Sequence, residues 1–145
     1  MLYTCDETDT PIMCYFQPVG EGVIDIFPDR TEFSADGQVF SLLRVHKGAE
    51  ICRIDGLLGH EAVASVQRGI LSVSVINPDF DESTVFTINR CGSIRCTKLL
   101  VASDLLPGSH FTESELAISL TDDTIRFDLP PRSIGLVRIT LQDKA

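Results

Sequence analysis

A mainly β fold, an antiparallel β-sandwich of about seven or eight strands with one short N-terminal α-helix, is the fold class this sequence predicts. Three observations predict it. Downstream of residue 60, apolar and polar residues alternate in short segments bounded by turn residues. Helical spacing of apolar residues occurs in one stretch, at 36–47. The chain closes on two alternating segments separated by Pro130 and Pro131, which lack the N–H that a continuous ladder would need.

Taken in order, 11–16 reads as a short buried strand, and 17–31 has the Gly and Pro content of an irregular connection. A helix follows, capped by Ser34 or Asp36. Val39, Phe40, Leu42, Leu43 and His46 lie at helical spacing, Arg44 and Lys47 suit the last turn, and Gly48 supplies the stop. A change of character between Asp55 and His60 divides the chain into 1–58 (strand, loop and helix) and 59–145 (sandwich). Strands are expected at 61–65, 69–76, 84–89, 93–102, 115–120, 124–129 and 134–141. Leu71, Val73 and Val75 should face the core opposite Ser72 and Ser74, as should Leu116, Ile118 and Leu120 opposite Glu115, Ala117 and Ser119. The segment 77–83, NPDFDES, reads as an exposed hairpin connection. In the closing pair, Ile125, Phe127 and Leu129 alternate with Thr124, Arg126 and Asp128, and Val137, Ile139 and Leu141 with Arg138 and Thr140. These two should form antiparallel strands of one half-buried sheet.

With 145 residues the chain is long enough for one ordinary domain with a real core. A formal net charge of −9 excludes nucleic acid and anionic membrane as expected partners, since both would repel an acidic surface. The acidity is concentrated early: residues 1–60 hold ten Asp/Glu against four Lys/Arg, and the remainder eleven against eight. Five cysteines, Cys5, Cys14, Cys52, Cys91 and Cys96, lack the paired CxxC spacing of zinc or redox sites. They read as small buried hydrophobes in a reducing compartment, with a Cys91–Cys96 disulfide left open. The acidic start, MLYTCDETDT, is unlike a secretory leader, and no apolar run reaches membrane-spanning length, so a cytoplasmic location is expected.

The closing LPPRSIGLVRITL, from Leu129, resembles the last strands of the β-sandwich that follows the barrel in arabinofuranosidase-type glycoside hydrolases. SADGQVFSLLRVHKGA, from Ser34, is similar to the last barrel helix of clan A glycosidases, and LSVSVINPDFDESTVFTI, from Leu71, to a strand, Asn-led turn and strand of the same family. These matches touch roughly half of the chain, in the family's order. Family 51 arabinofuranosidases fit first, with family 39 xylosidases and family 30 enzymes beside them, whereas CYFQPVGEGVIDIF, from Cys14, matches no motif of the family. The resemblance implies a C-terminal piece of a carbohydrate-metabolising enzyme, residues 1–58 ending a (β/α)8 barrel and 59–145 forming the sandwich.

Retaining chemistry of that kind needs two carboxylates about 5 to 5.5 Å apart, carried at the C-terminal ends of barrel strands. In the family the acid/base stands in an Asn-Glu pair after the fourth strand. No Asn-Glu dipeptide occurs here, so no catalytic residue is assigned, and neither is a cofactor-binding or metal-binding one. Glu21 would at most line the rim of an active site. His46, Cys52 and His60, spaced by six and eight residues, fit no compact zinc motif; His46 is expected at the helix C-terminus in cationic form, and His60 at the start of the sandwich. Asp79, Asp81 and Glu82 offer oxygen ligands without the twelve-residue calcium loop. Ser65, Ser72 and the other serines, with no GxSxG or supporting base, read as solvent-facing strand residues. Sugar-binding modules present aromatic platforms, yet the chain has no Trp and, besides Tyr3 and Tyr15, only Phe. Phe86 and Phe127 belong to the core, and Phe80 and Phe111 to loops. The expected role is therefore packing: the helix at 36–47 meets a catalytic barrel or a second copy of the chain. A self-contained β-sandwich that binds a ligand or a partner protein, its first sixty residues closing its own core, is the alternative.

Overall fold

A computed structural model of the chain describes residue 19 and residues 22–56, 62–89, 92–104, 106 and 108–142. The expected strand at 11–16, together with Glu21, His60, Cys5, Cys14 and Cys91, lies outside the described residues. Among the described residues, eleven strands and one α-helix make two packed sheets, a small ribbon and a covering helix. The larger sheet has six antiparallel strands in the order β3 (Glu50–Cys52), β4 (Ala62–Gln67), β5 (Ile70–Asn77), β11 (Ser133–Leu141), β7 (Gly92–Ala102) and β8 (Phe111–Ser114). Facing it is a three-stranded sheet of β6 (Thr84–Asn89), β10 (Thr124–Leu129) and β9 (Ile118–Leu120). The ribbon pairs β1 (Ile24–Ile26) with β2 (Thr31–Phe33), and leads into α1 (Ala35–Leu43) and a 3-10 turn, Arg44–His46. β3, upstream of the expected division near residue 58, is hydrogen-bonded to β4 downstream of it.

Between the sheets, alternate residues from each layer make the main core. Ala62, Ala64, Val73, Val75, Val137 and Ile139 of the large sheet meet Phe86, Ile125, Phe127 and Leu129 of the small one. Phe86 and Phe127 are in register on neighbouring strands and stack with ring centroids 5.8 Å apart. A second cluster lies on the far face of the large sheet, where Leu42 of α1 packs with Leu100, Ile134 and Leu136. The architecture therefore has three layers, helix on sheet on sheet. This explains the run Ser133–Val137, every member of which is buried: β11 is central and covered on both faces.

Several local expectations hold. Ser34 is the N-cap, its hydroxyl accepting from the Gly37 N–H and donating to the Gly22 carbonyl. Gly48 takes φ +67°, the left-handed turn that ends the helical segment. Strands 84–89 and 124–129 stand where expected, and 61–65, 69–76, 93–102 and 134–141 differ by one or two residues at an end.

Others are corrected. The two closing strands do not share a sheet: β10 belongs to the small layer and β11 to the large one, and the corner at Pro130 and Pro131 carries the chain between them. Likewise 78–83 is exposed but joins β5 to β6 across the layers, so it is not a hairpin turn. The stretch 17–31 contains β1, and the helix expected at 36–47 ends as α-helix at Leu43 before the 3-10 turn. The strand at 115–120 shrinks to Ile118–Leu120 at a sheet edge, where Leu120 is 51% exposed instead of facing the core. β8, missed from sequence, hydrogen-bonds to β7 as the other edge of the large sheet.

β7 carries a β-bulge opposite Arg138 and Ile139, which pair with Cys96 and Ile94 and leave Arg95 as an extra, exposed residue. Gly37 sits where a Cβ would come 2.1 Å from the Val23 carbonyl oxygen and 3.0 Å from the Phe33 side chain. Glycine inside a helix ordinarily costs about 0.5–1 kcal/mol relative to alanine. Here the ribbon backbone occupies that space, so Gly37→Ala is expected to lower the thermal midpoint instead of raising it, which a melting curve reads directly.

Candidate functional site

Four buried polar side chains, His46, Ser65, Ser72 and Ser74, gather where the helical segment crosses the outer face of the large sheet. On that face β4, β5 and β11 present Ser65, Ser72, Ser74 and Arg138, which the helix and its 3-10 extension cover. Ser65 is 1% exposed, and Ser72 and Ser74 are 3%. The expectation that these serines face solvent is thus corrected, because alternation marks two faces without saying that one of them is wet.

His46 closes this network. Its Nδ1 lies 2.7 Å from the Ser65 hydroxyl and its Nε2 2.8 Å from that of Ser74, with the residue 5% exposed. A neutral imidazole satisfies both, one nitrogen donating and the other accepting. Burial, and then the charge of Arg138, hold its pKa below the ordinary 6.5. The cationic His46 expected at the helix C-terminus is replaced by a neutral, buried one. A serine bonded to a histidine is also the arrangement of a nucleophile and its base, but both hydroxyls are sealed from solvent. The network ties the helix to the sheet.

A sign follows for stability. His46 has a depressed folded pKa, so the unfolded chain binds its proton more readily; the stabilisation is complete above about pH 6.5 and is lost as pH falls from there through the folded value. Urea midpoints at pH 7.5 and pH 5 are expected to differ in the wild type, with the acid value lower, and to differ less in His46→Gln. Equal midpoints in the wild type would contradict this assignment.

Beside the network lies a groove of 530 Å³ between α1, β2 and the outer edge of the large sheet, into which Glu32, Arg44, Cys96, Lys98, Glu113 and Arg138 face. Its acids are engaged: Lys98 pairs with Glu113, and Glu32 pairs with Arg30 and lies 3.9 Å from His110. The Arg30 guanidinium holds the Glu32 carboxyl below the usual range. Gln38 fastens the far end, its amide donating to the Phe111 carbonyl at 2.9 Å and accepting from the Phe111 N–H at 2.7 Å.

The other candidates separate. Cys52 packs against the inter-sheet core while His46 lies on the opposite face of the large sheet, so they form no common site. Cys52 and Cys96 are free thiols. Asp79 accepts from the N–H groups of Asp81 and Glu82, both at 2.9 Å, and these bonds hold its carboxyl below the ordinary carboxylate range. The three acids shape a turn, and among the described residues no three metal-ligating side chains converge. Phe80 is 60% exposed on that turn; Phe111 belongs to β8 and packs partly buried against the outer cluster, not in a loop. Among the described residues no helix is long and apolar enough to cross a membrane. Sequence reasoning missed Arg138 and Gln38 as organisers of this face. The available signal was a lone Arg in β11, whose apolar residues occupy both alternation phases.

Neither a protein-family model nor a curated protein sequence matches the chain. Solved structures do. The catalytic domain of the family 30 xylanase C from Talaromyces cellulolyticus superposes with a TM-score of 0.66 and 18% identity, over 82% of this chain and 27% of that one. The alpha-L-arabinofuranosidase from Thermotoga maritima in its arabinose complex gives 0.64 and 15%, over 87% and 33%. A family 30 subfamily 8 xylanase from Clostridium acetobutylicum gives 0.54 and 16%, over 82% and 30%. The chain spans a third or less of the length of these structures, and at such identities the likeness is one of fold. The fold of this chain is thus shared with part of an arabinofuranosidase and of family 30 xylanases, as the sequence resemblance implied.

Proposed function

We propose that the chain is the non-catalytic, C-terminal β-sandwich of a glycoside hydrolase of the arabinofuranosidase type, buttressing the catalytic barrel and contributing to oligomer packing. One observation carries the reading: more than four fifths of the chain superposes on glycosidase structures, of which it covers a third or less. The polar network under α1 supports it, since its serine hydroxyls are sealed beneath the helix. Phe33 and Phe40, 53% and 40% exposed, give the partner contact an apolar part in the helix region. The free thiols Cys52 and Cys96 fit a cytoplasmic setting.

A second reading has its own support. Leu42 is 5% exposed because the chain's own sandwich covers it, as a self-contained interaction or ligand-binding protein would require. The reading frame upstream of Met1 separates the two. An in-frame barrel-coding segment supports the first; a stop directly before Met1 with a separate promoter overturns it in favour of the second. Assays of the isolated chain on aryl arabinofuranosides and xylosides complete the test. Turnover above a heat-killed control would overturn the non-catalytic reading.

A further inference from the structure

We propose that the groove between α1 and the outer face of the large sheet binds a small monocarboxylate, held end-on by the guanidinium of Arg138. This goes beyond the buttressing role and does not rest on it.

The starting point is a partly buried cation without a counter-charge. Arg138 sits on central strand β11, and its Nε donates to the Ser72 hydroxyl at 3.3 Å, which orients the planar head. Its terminal nitrogens have no carboxylate partner among the described residues, although the chain carries a net charge of −9. Covering a charge without pairing it is costly, and the cost falls when an anion arrives. Both acids in the groove are already spent, Glu113 on Lys98 and Glu32 on Arg30. Among the described residues, Arg138 and Arg44 are therefore the charges without an ion-pair partner in a pocket large enough for a molecule of a few carbons.

The geometry also selects the anion. With Nε committed to Ser72, the guanidinium offers its terminal edge, whose two parallel N–H groups match the oxygens of a carboxylate. Leu42, Val45 and Leu136 supply apolar wall for the body of the ligand.

Occupancy has a built-in reporter. The charge of Arg138 disfavours protonation of His46, so neutralising it should move the His46 titration upward. The other titratable or charged groups around the groove are Arg44 on the 3-10 turn, Cys96 and Lys98 on β7, Glu113 on β8, Glu32 on β2 and His110 before β8.

The full chain, titrated by NMR at constant ionic strength with sodium lactate, sodium acetate, sodium chloride and inorganic phosphate, tests the proposal. Lactate and acetate are expected to give saturable shifts at the amides of Cys96, Leu136 and Arg138 and to raise the His46 pKa. Arg138→Gln should weaken this at least tenfold. Arg138→Lys, which keeps the charge and loses the paired donors, should also weaken it and serves if the glutamine variant fails to fold. Shifts that chloride reproduces, that survive either substitution, or that phosphate matches in affinity would overturn the proposal, as would the absence of saturation.

Discussion

Phe127→Ala is expected to destabilise the fold by about 3–5 kcal/mol, the range for removing a large aromatic from a core that relaxes only in part. Phe127 is 3% exposed and lies between Phe86 on one neighbouring strand and Ile118 on the other. Its ring stacks on Phe86, so the substitution opens a cavity and also ends an aromatic contact worth about 0.5–1.5 kcal/mol beyond area burial. The position matters because the small layer has three strands and one of them, β9, has three residues. Urea unfolding reads the effect as a lower midpoint at an unchanged slope. A loss below about 1 kcal/mol would mean that the two sheets do not depend on this contact.

Asn77→Ala should cost about 2–4 kcal/mol, since several hydrogen bonds go and buried carbonyls lose their donor. Asn77 is fully buried at the end of β5. Its amide N–H groups are shared among the carbonyls of Glu82, Leu129 and Pro130, and its Oδ1 accepts from the Asp79 N–H at 3.2 Å. One side chain thus joins two of the connections that pass between the layers, β5 to β6 and β10 to β11. The Arg132 N–H adds to the junction by donating to the Asp79 carbonyl at 2.8 Å. Asn77→Asp keeps the shape, removes the donors and sets a carboxylate against carbonyl oxygens. It should be at least as damaging at neutral pH and partly relieved in acid, where the protonated group regains one donor. An Asp variant as stable as the wild type at pH 7 would refute the donor role.

The periodicity of the strands was legible, because side-chain alternation is a property of the backbone itself. Strands 84–89 and 124–129 were read to the residue, and the Ser34 cap and Gly48 stop follow from chemistry confined to a few neighbours. What was hidden depends on partners distant in sequence. Alternation in β10 and β11 does not say that Pro130 and Pro131 divide them between layers. β8 was overlooked because Thr112, Glu113 and Ser114 carry no apolar signal and owe their extended form to β7. The buried serines show the same limit most clearly. A small hydroxyl in a strand is compatible with solvent or with a covering helix, and the choice was made by His46, nineteen residues from Ser65 and twenty-eight from Ser74. The candidate site was correspondingly dim, since Arg138 gains its meaning from what stands over it.

The irregularity in β7 has a consequence for variation in chain length. Because Arg95 is absorbed as a surplus residue, Ile94 still points between the sheets and Cys96 still points into the groove. Shortening the chain by that one residue would straighten the strand and leave the neighbours of both side chains as they are. This is a place where a deletion can be accommodated within a strand that is paired on both sides, although such strands ordinarily tolerate none.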